Sequence, residues 1–203
     1  MIDNSQFALE FLRRFGIPLD HVCLQGNQWT VAVWDKSIMP KLHPHSQIQI
    51  LEKLWDEFLN NPKTGIRPKD WEQKFNILHK TGMTHSGQLG TAEVATTWTH
   101  TGVGTSNAAE NQDHTALTAE VANPRKSLLT AGQRKAVNQT QKFSMPYFDT
   151  DLTVPVTLRE YGIFNASVSG VNYARVTSTD KLVSAGDLFT FILNVIFVNG
   201  IVV

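Results

Sequence analysis

Charge is scarce in this chain of 203 residues: 18 % of the side chains are charged, and 18 basic against 18 acidic groups leave a formal net charge of zero. A balanced, weakly charged surface gives no electrostatic case for nucleic-acid binding. It also leaves little to hold copies apart, and suits assembly contacts better than charge-steered encounters. Cysteine is almost missing. Cys23 is the single one, which excludes an intrachain disulfide and fits a protein made in a reducing cytoplasm. Set among Val22 and Leu24, it reads as a small core residue. No apolar run approaches the roughly 20 residues that a membrane-spanning helix needs. The opening Met1-Ile-Asp-Asn-Ser5 has neither a basic start nor an apolar stretch, so no signal peptide is expected. No Gly-Lys-Ser/Thr element exists, and Gly102-Val-Gly104 runs into Thr105-Ser-Asn107 without the third glycine of a dinucleotide loop. It reads as a strand-ending turn.

What is present divides in two. The hydrophobic content of 41 % is enough for a real core. Residues 4–15 read as a helix with Phe7, Phe11, Leu12 and Phe15 on one face, stopped by Gly16 and Pro18. His21–Leu24 and Trp29–Trp34 flank Gln25-Gly-Asn-Gln28, a hairpin signal. Ser46-Gln-Ile-Gln49 is a capping box opening a second helix to Leu59. From Phe75 onward Thr, Ser, Gly, Asn and Val dominate and helical periodicity disappears. Thr96–Gly104 reads as a strand. Gln133–Phe148 reads as a strand paired with Leu152–Phe164 through the turn Asp149-Thr-Asp151. Leu152–Asn165, Val171–Ser178 and Asp187–Val198, separated by Ala166–Gly170 and Ser184–Asp187, predict an antiparallel sheet. The expected fold is therefore α+β: a C-terminal antiparallel β-sandwich over residues 71–203, preceded by a helix–hairpin–helix docking region over residues 1–70, with the boundary near Lys63–Asp70.

Candidate chemistry is thin. His43-Pro-His45 has close spacing, but proline fixes an extended backbone and no third ligand follows; His79, His85, His100 and His114 lie on different elements. Asp149 and Asp151 read as turn residues that bond their own backbone. An acid at Glu160 lies roughly 30 Å further along an extended strand, too far to act with them. Asp113-His114 has no nucleophile turn beside it. No catalytic residue, metal or cofactor is expected. Glu160, within an apolar strand, shares the inward parity of Val154, Val156, Leu158, Gly162 and Phe164, and Arg175 on the next strand is its natural partner; the alternative is an exposed acid after a bulge at Tyr161-Gly162. Leu188–Val198 is apolar on both parities, so it lies between two layers or against another chain. Leu188, Phe189, Phe191, Ile196 and Val198, with Ile201, Val202 and Val203, are the candidate assembly interface.

The order Glu160-Tyr-Gly-Ile-Phe-Asn165, Tyr173-Ala-Arg-Val176 and Ser184-Ala-Gly-Asp187, with Thr97–Thr105 and Asp113–Glu120 upstream, resembles the C-terminal β-domain of small tailed-bacteriophage virion proteins. The resemblance covers roughly residues 74–200, departs at Ile163, where leucine is usual, and lacks the family's apolar helix in Thr81–Thr91. It implies a non-enzymatic structural component of the tail, neck, baseplate or fibre-attachment region. Such a component is made in the host cytoplasm and located in the virion, where it partners other virion proteins and copies of itself in a symmetric ring, with no nucleic acid or membrane as partner. The alternative is a β-sandwich that binds host-surface glycan through Trp98, Tyr147, Tyr161 and Tyr173.

Overall fold

The computed structural model describes residues 24–38, 49, 52–53, 55–58, 60, 66–76, 80–90, 97–111, 113–121, 125–129, 132–137 and 140–198. The expected first helix, Cys23, the two histidines about Pro44, His79 and Ile201–Val203 lie outside them. So do the side chains of Ile196 and Val198, whose backbones belong to the last strand.

The described chain is mostly β, in two antiparallel sheets. The first has five strands, with β1 (Leu24–Asp35), β2 (Asp70–Asn76), β5 (Gln133–Val137), β6 (Thr140–Phe148) and β9 (Asp187–Val198) in the order β2-β1-β9-β6-β5. The second holds β3 (His100–Gly104), β4 (Lys126–Ser127), β7 (Val156–Phe164) and β8 (Asn172–Val183) in the order β4-β3-β7-β8. Side chains from both sheets form one core. Trp29, Val31, Val33, Phe143, Met145, Tyr147, Phe189, Phe191, Leu193 and Val195 come from the first sheet, and Val103, Leu158, Tyr161, Ile163, Ala174, Val176 and Val183 from the second. Tyr161 stacks on Phe189 across the gap, with ring centroids 5.1 Å apart.

Several expectations change. Gln25–Gln28 is not a turn: Leu24–Asp35 is one strand, paired with β9 along its whole length and with β2 from Asn27 to Val33. Pairing with β9 through Gly26 and Asn27, joined by β2 from Asn27 onward, outweighs the local turn preference of Gly26-Asn27. Among the described residues no helix–hairpin–helix unit stands apart and the boundary near residue 70 divides nothing, because β1 lies inside the sheet that β9 completes. The described residues between 49 and 60 are helical, and Trp55 and Phe58 pack with Ala32, Trp34, Leu188 and Ile192 on the outer face of the first sheet.

The Gln133–Phe148 segment does not pair with Leu152–Phe164. It folds on itself as the β5–β6 hairpin, and β6 pairs with β9. Asp149–Asp151 is a short 3-10 turn from which the chain passes from one sheet to the other. An unexpected helix spans Lys80–Gly90. Its described contacts use small and polar groups. A Cβ at Gly82 would collide with the backbone of Tyr173, while His85 meets the Trp98 ring edge-on at 4.8 Å.

Leu188, Phe189 and Phe191 are fully buried within the chain and are not an assembly surface. The two apolar parities of β9 face two layers of the same molecule, the shared core on one side and the Trp34–Trp55 cluster on the other. Among the described residues no helix is long and apolar enough to cross a membrane.

Candidate functional site: a buried clamp under a strap

A buried polar network lies on the second sheet. A β-bulge between Leu158 and Glu160 breaks the alternation of β7. Leu158 faces the shared core, and after the bulge Tyr161 and Ile163 do so. Glu160 therefore points away from the shared core, against the parity read from sequence. It is buried because the stretch from Thr105 to Val121 crosses this outer face as a strap. Gly104 permits the close approach: a Cβ there would come within 2.5 Å of both the Ala119 carbonyl and Glu160 Oε1.

Under the strap, Glu160 and Arg175 come together with no exposed side-chain surface on either. Arg175 stands opposite Gly162, and Glu160 opposite Thr177, so the contact is diagonal across the strand pair. Arg175 Nε donates to Glu160 Oε2 at 2.7 Å. The remaining carboxylate capacity goes to the strap: the Thr118 amide donates to Oε2 at 2.9 Å and the Ala119 amide to Oε1 at 2.6 Å. Arg175 Nη2 donates to the Ala108 carbonyl at 3.1 Å, and Nη1 lies 3.2 Å from His114 Nδ1. A buried acid and base thus hold both ends of one loop through its backbone.

The strap and β2 together cover backbone groups of β8. Glu110 Oε1 accepts from the Thr177 amide at 2.6 Å, and Glu72 Oε2 from the Thr179 amide at 2.8 Å. Lys74 Nζ donates to the Thr177 carbonyl at 2.9 Å. Side chains thereby occupy backbone groups that an open strand would offer to another chain.

The other candidates are dispersed. Asp149 pairs with Lys36 Nζ at 2.6 Å and accepts from the Gly186 amide at 2.8 Å. Lys36 first, then the Gly186 amide, holds its carboxyl below the usual range. Asp151 instead receives Lys126 Nζ at 2.6 Å and the Phe148 amide at 2.7 Å. Burial, foremost, pushes the Lys126 amine down from its ordinary value. The two acids thus serve two different lysines. His100 hydrogen-bonds Thr99 and is pushed down by burial and by Arg125; it sits on β3, while His85 sits on the Lys80–Gly90 helix. Among the described residues no three His, Cys, Asp or Glu side chains gather as metal ligands.

The rings proposed for sugar stacking are interior: Trp98, Tyr147, Tyr161 and Tyr173 are each 5 % exposed or less. Trp98 stacks on Tyr173 at 4.4 Å, and the Tyr147 hydroxyl meets Thr101 Oγ1 at 2.7 Å. Sequence reasoning missed Trp71, which is 43 % exposed and rests edge-on against Trp55 and Phe58. Comparison of the chain with protein-family models, curated proteins and solved structures finds no match.

Proposed function

We propose that this chain is a non-enzymatic structural component of a tailed-bacteriophage particle, a β-sandwich built as a rigid module and held in place by other virion proteins. One observation carries the reading: the residues on which the phage resemblance rests spend their side chains on the scaffold. Glu160 and Arg175 clamp the strap. Phe164 lies under the Arg125 guanidinium at 3.5 Å. Asn165 Oδ1 accepts from the Val171 amide at 2.7 Å and ties the β7–β8 turn, and Asp187 Oδ2 accepts from the Ser184 amide at 2.9 Å and ties the β8–β9 turn. A shared pattern made of turn ties and a buried clamp is a pattern of architecture. With Leu188, Phe189 and Phe191 interior, contacts to neighbours fall to exposed side chains such as Ile66, Trp71, Leu129, Val168 and Leu182. The test is to purify particles from an infected culture and quantify the chain in them by mass spectrometry, then locate a tagged copy by electron microscopy. The reading expects a fixed multi-copy stoichiometry at one place in the particle. Particles that infect normally and contain none of the chain would refute it.

A further inference from the structure

With one cysteine in the sequence, an intrachain covalent staple has to use other chemistry. Lys181 on β8 stands opposite Leu158, a residue of the shared core, and its side chain is 2 % exposed. The side chain therefore runs between the two sheets. Its amine emerges at two carboxylates of β2: Asp70 Oδ1 lies 3.0 Å from Nζ and Glu72 Oε2 3.8 Å. Thr179 Oγ1 accepts from the same amine at 2.9 Å and donates to Glu72 Oε2 at 2.8 Å, which completes a hydrogen-bonded path from amine to second carboxylate. Among the described ion pairs only this one joins so deeply buried an amine to two acids. Lys69 also meets two, Asp35 and Asp187, but is 49 % exposed.

We propose that Lys181 and Asp70 condense to an intramolecular amide, with Glu72 as the proton carrier. Proton transfer within the ion pair, across the 3.0 Å between Nζ and Asp70 Oδ1, leaves an amine and a carboxyl group. The Nζ lone pair attacks Asp70 Cγ. Glu72, directly or through Thr179 Oγ1, takes the proton from the nitrogen and delivers it to the departing hydroxyl. One C–N bond forms, one C–O bond breaks, one water leaves, and Glu72 ends as it began, with no oxidant, reductant or co-substrate consumed. Holding the groups together replaces a bimolecular encounter by an effective concentration far above any in solution. Asp70, 46 % exposed, gives the released water a way out. The product would bolt the β2 edge of the first sheet to the β8 edge of the second.

Intact-mass spectrometry of the denatured full-length protein tests this. The wild type should weigh less than its sequence by one water, and Lys181→Arg should have its full sequence mass. Trypsin should release residues 70–74 joined to residues 176–203, uncut after Lys181. Glu72→Gln, shown to be folded by circular dichroism, should keep its full mass. A folded wild type of full sequence mass overturns the proposal. A mass loss that persists in Lys181→Arg overturns it too, and a folded Glu72→Gln that still loses water removes Glu72 from the mechanism.

Discussion

At Glu160 a carboxylate without solvent exposure is matched by a guanidinium and two backbone amides. Truncating the cation alone strands the acid, so Arg175→Ala should destabilise the protein by about 3–5 kcal/mol. Glu160→Gln combined with Arg175→Met removes both charges and should cost distinctly less. Urea unfolding of the wild type and the two variants checks this; an Arg175→Ala loss no larger than that of the double variant would refute the stranded charge. The partnership is readable in the sequence, since an acid inside an apolar strand needs a base on the neighbouring one. The face it occupies is not, because the bulge falls between Leu158 and Glu160, not at Tyr161-Gly162 where the glycine suggests one, and so reverses the alternation before the acid. Asp149 supplies a pH test. Its folded pKa lies below the ordinary 3.8, so the stabilisation from Lys36 and Gly186 is complete above that value and is lost as pH falls through the folded one. Asp149→Asn should therefore lose less stability than the wild type between neutral and strongly acid pH, as thermal melts at stepped pH would show.

Among the elements, the strands from β7 onward are legible because their apolar runs end in Asn165–Gly170 and Ser184–Gly186. Pairing is the harder part. β6 and β7 are neighbours in sequence with a turn between them, yet β6 joins β9, because Phe143, Met145 and Tyr147 bury against the face that β9 builds. The Lys80–Gly90 helix escapes a search for apolar stripes since its contacts use Gly82, His85 and Ser86. Its first glycine gives a prediction of reversed sign. In an exposed helix Gly→Ala stabilises by about 1 kcal/mol. Gly82→Ala should instead destabilise by about 1–3 kcal/mol, the usual cost of overpacking, because the new methyl meets the Tyr173 backbone. Thr84→Ala, at an exposed position of the same helix, serves as the control and should change stability by less than about 0.5 kcal/mol. Equal effects of the two in chemical denaturation would show that the helix does not seat as described.

For the whole molecule, a two-sheet β architecture was legible, while its inclusion of β1 was not, because only pairing with β9 through Gly26-Asn27, and with β2 from Asn27 onward, explains why that dipeptide stays extended. The resulting core holds all three tyrosines of the chain, Tyr147, Tyr161 and Tyr173, none more than 3 % exposed. Burial, foremost, drives each phenol above its ordinary value of 10.0. In the unfolded chain the same phenols ionise near 10, so above that pH the unfolded state releases protons that the native state keeps. Stability is therefore unaffected by the tyrosines below pH 10 and falls as pH rises beyond it. A spectrophotometric titration should show no phenolate band while the protein is folded, then all three groups ionising together in one steep step that coincides with loss of the β-sheet circular dichroism signal. Because Tyr161 and Tyr173 come from the second sheet and Tyr147 from the first, a single step also reports that the sheets come apart together. One tyrosine titrating near pH 10 in the folded protein would show that its side of the core is open to water, and would separate the two sheets as folding units.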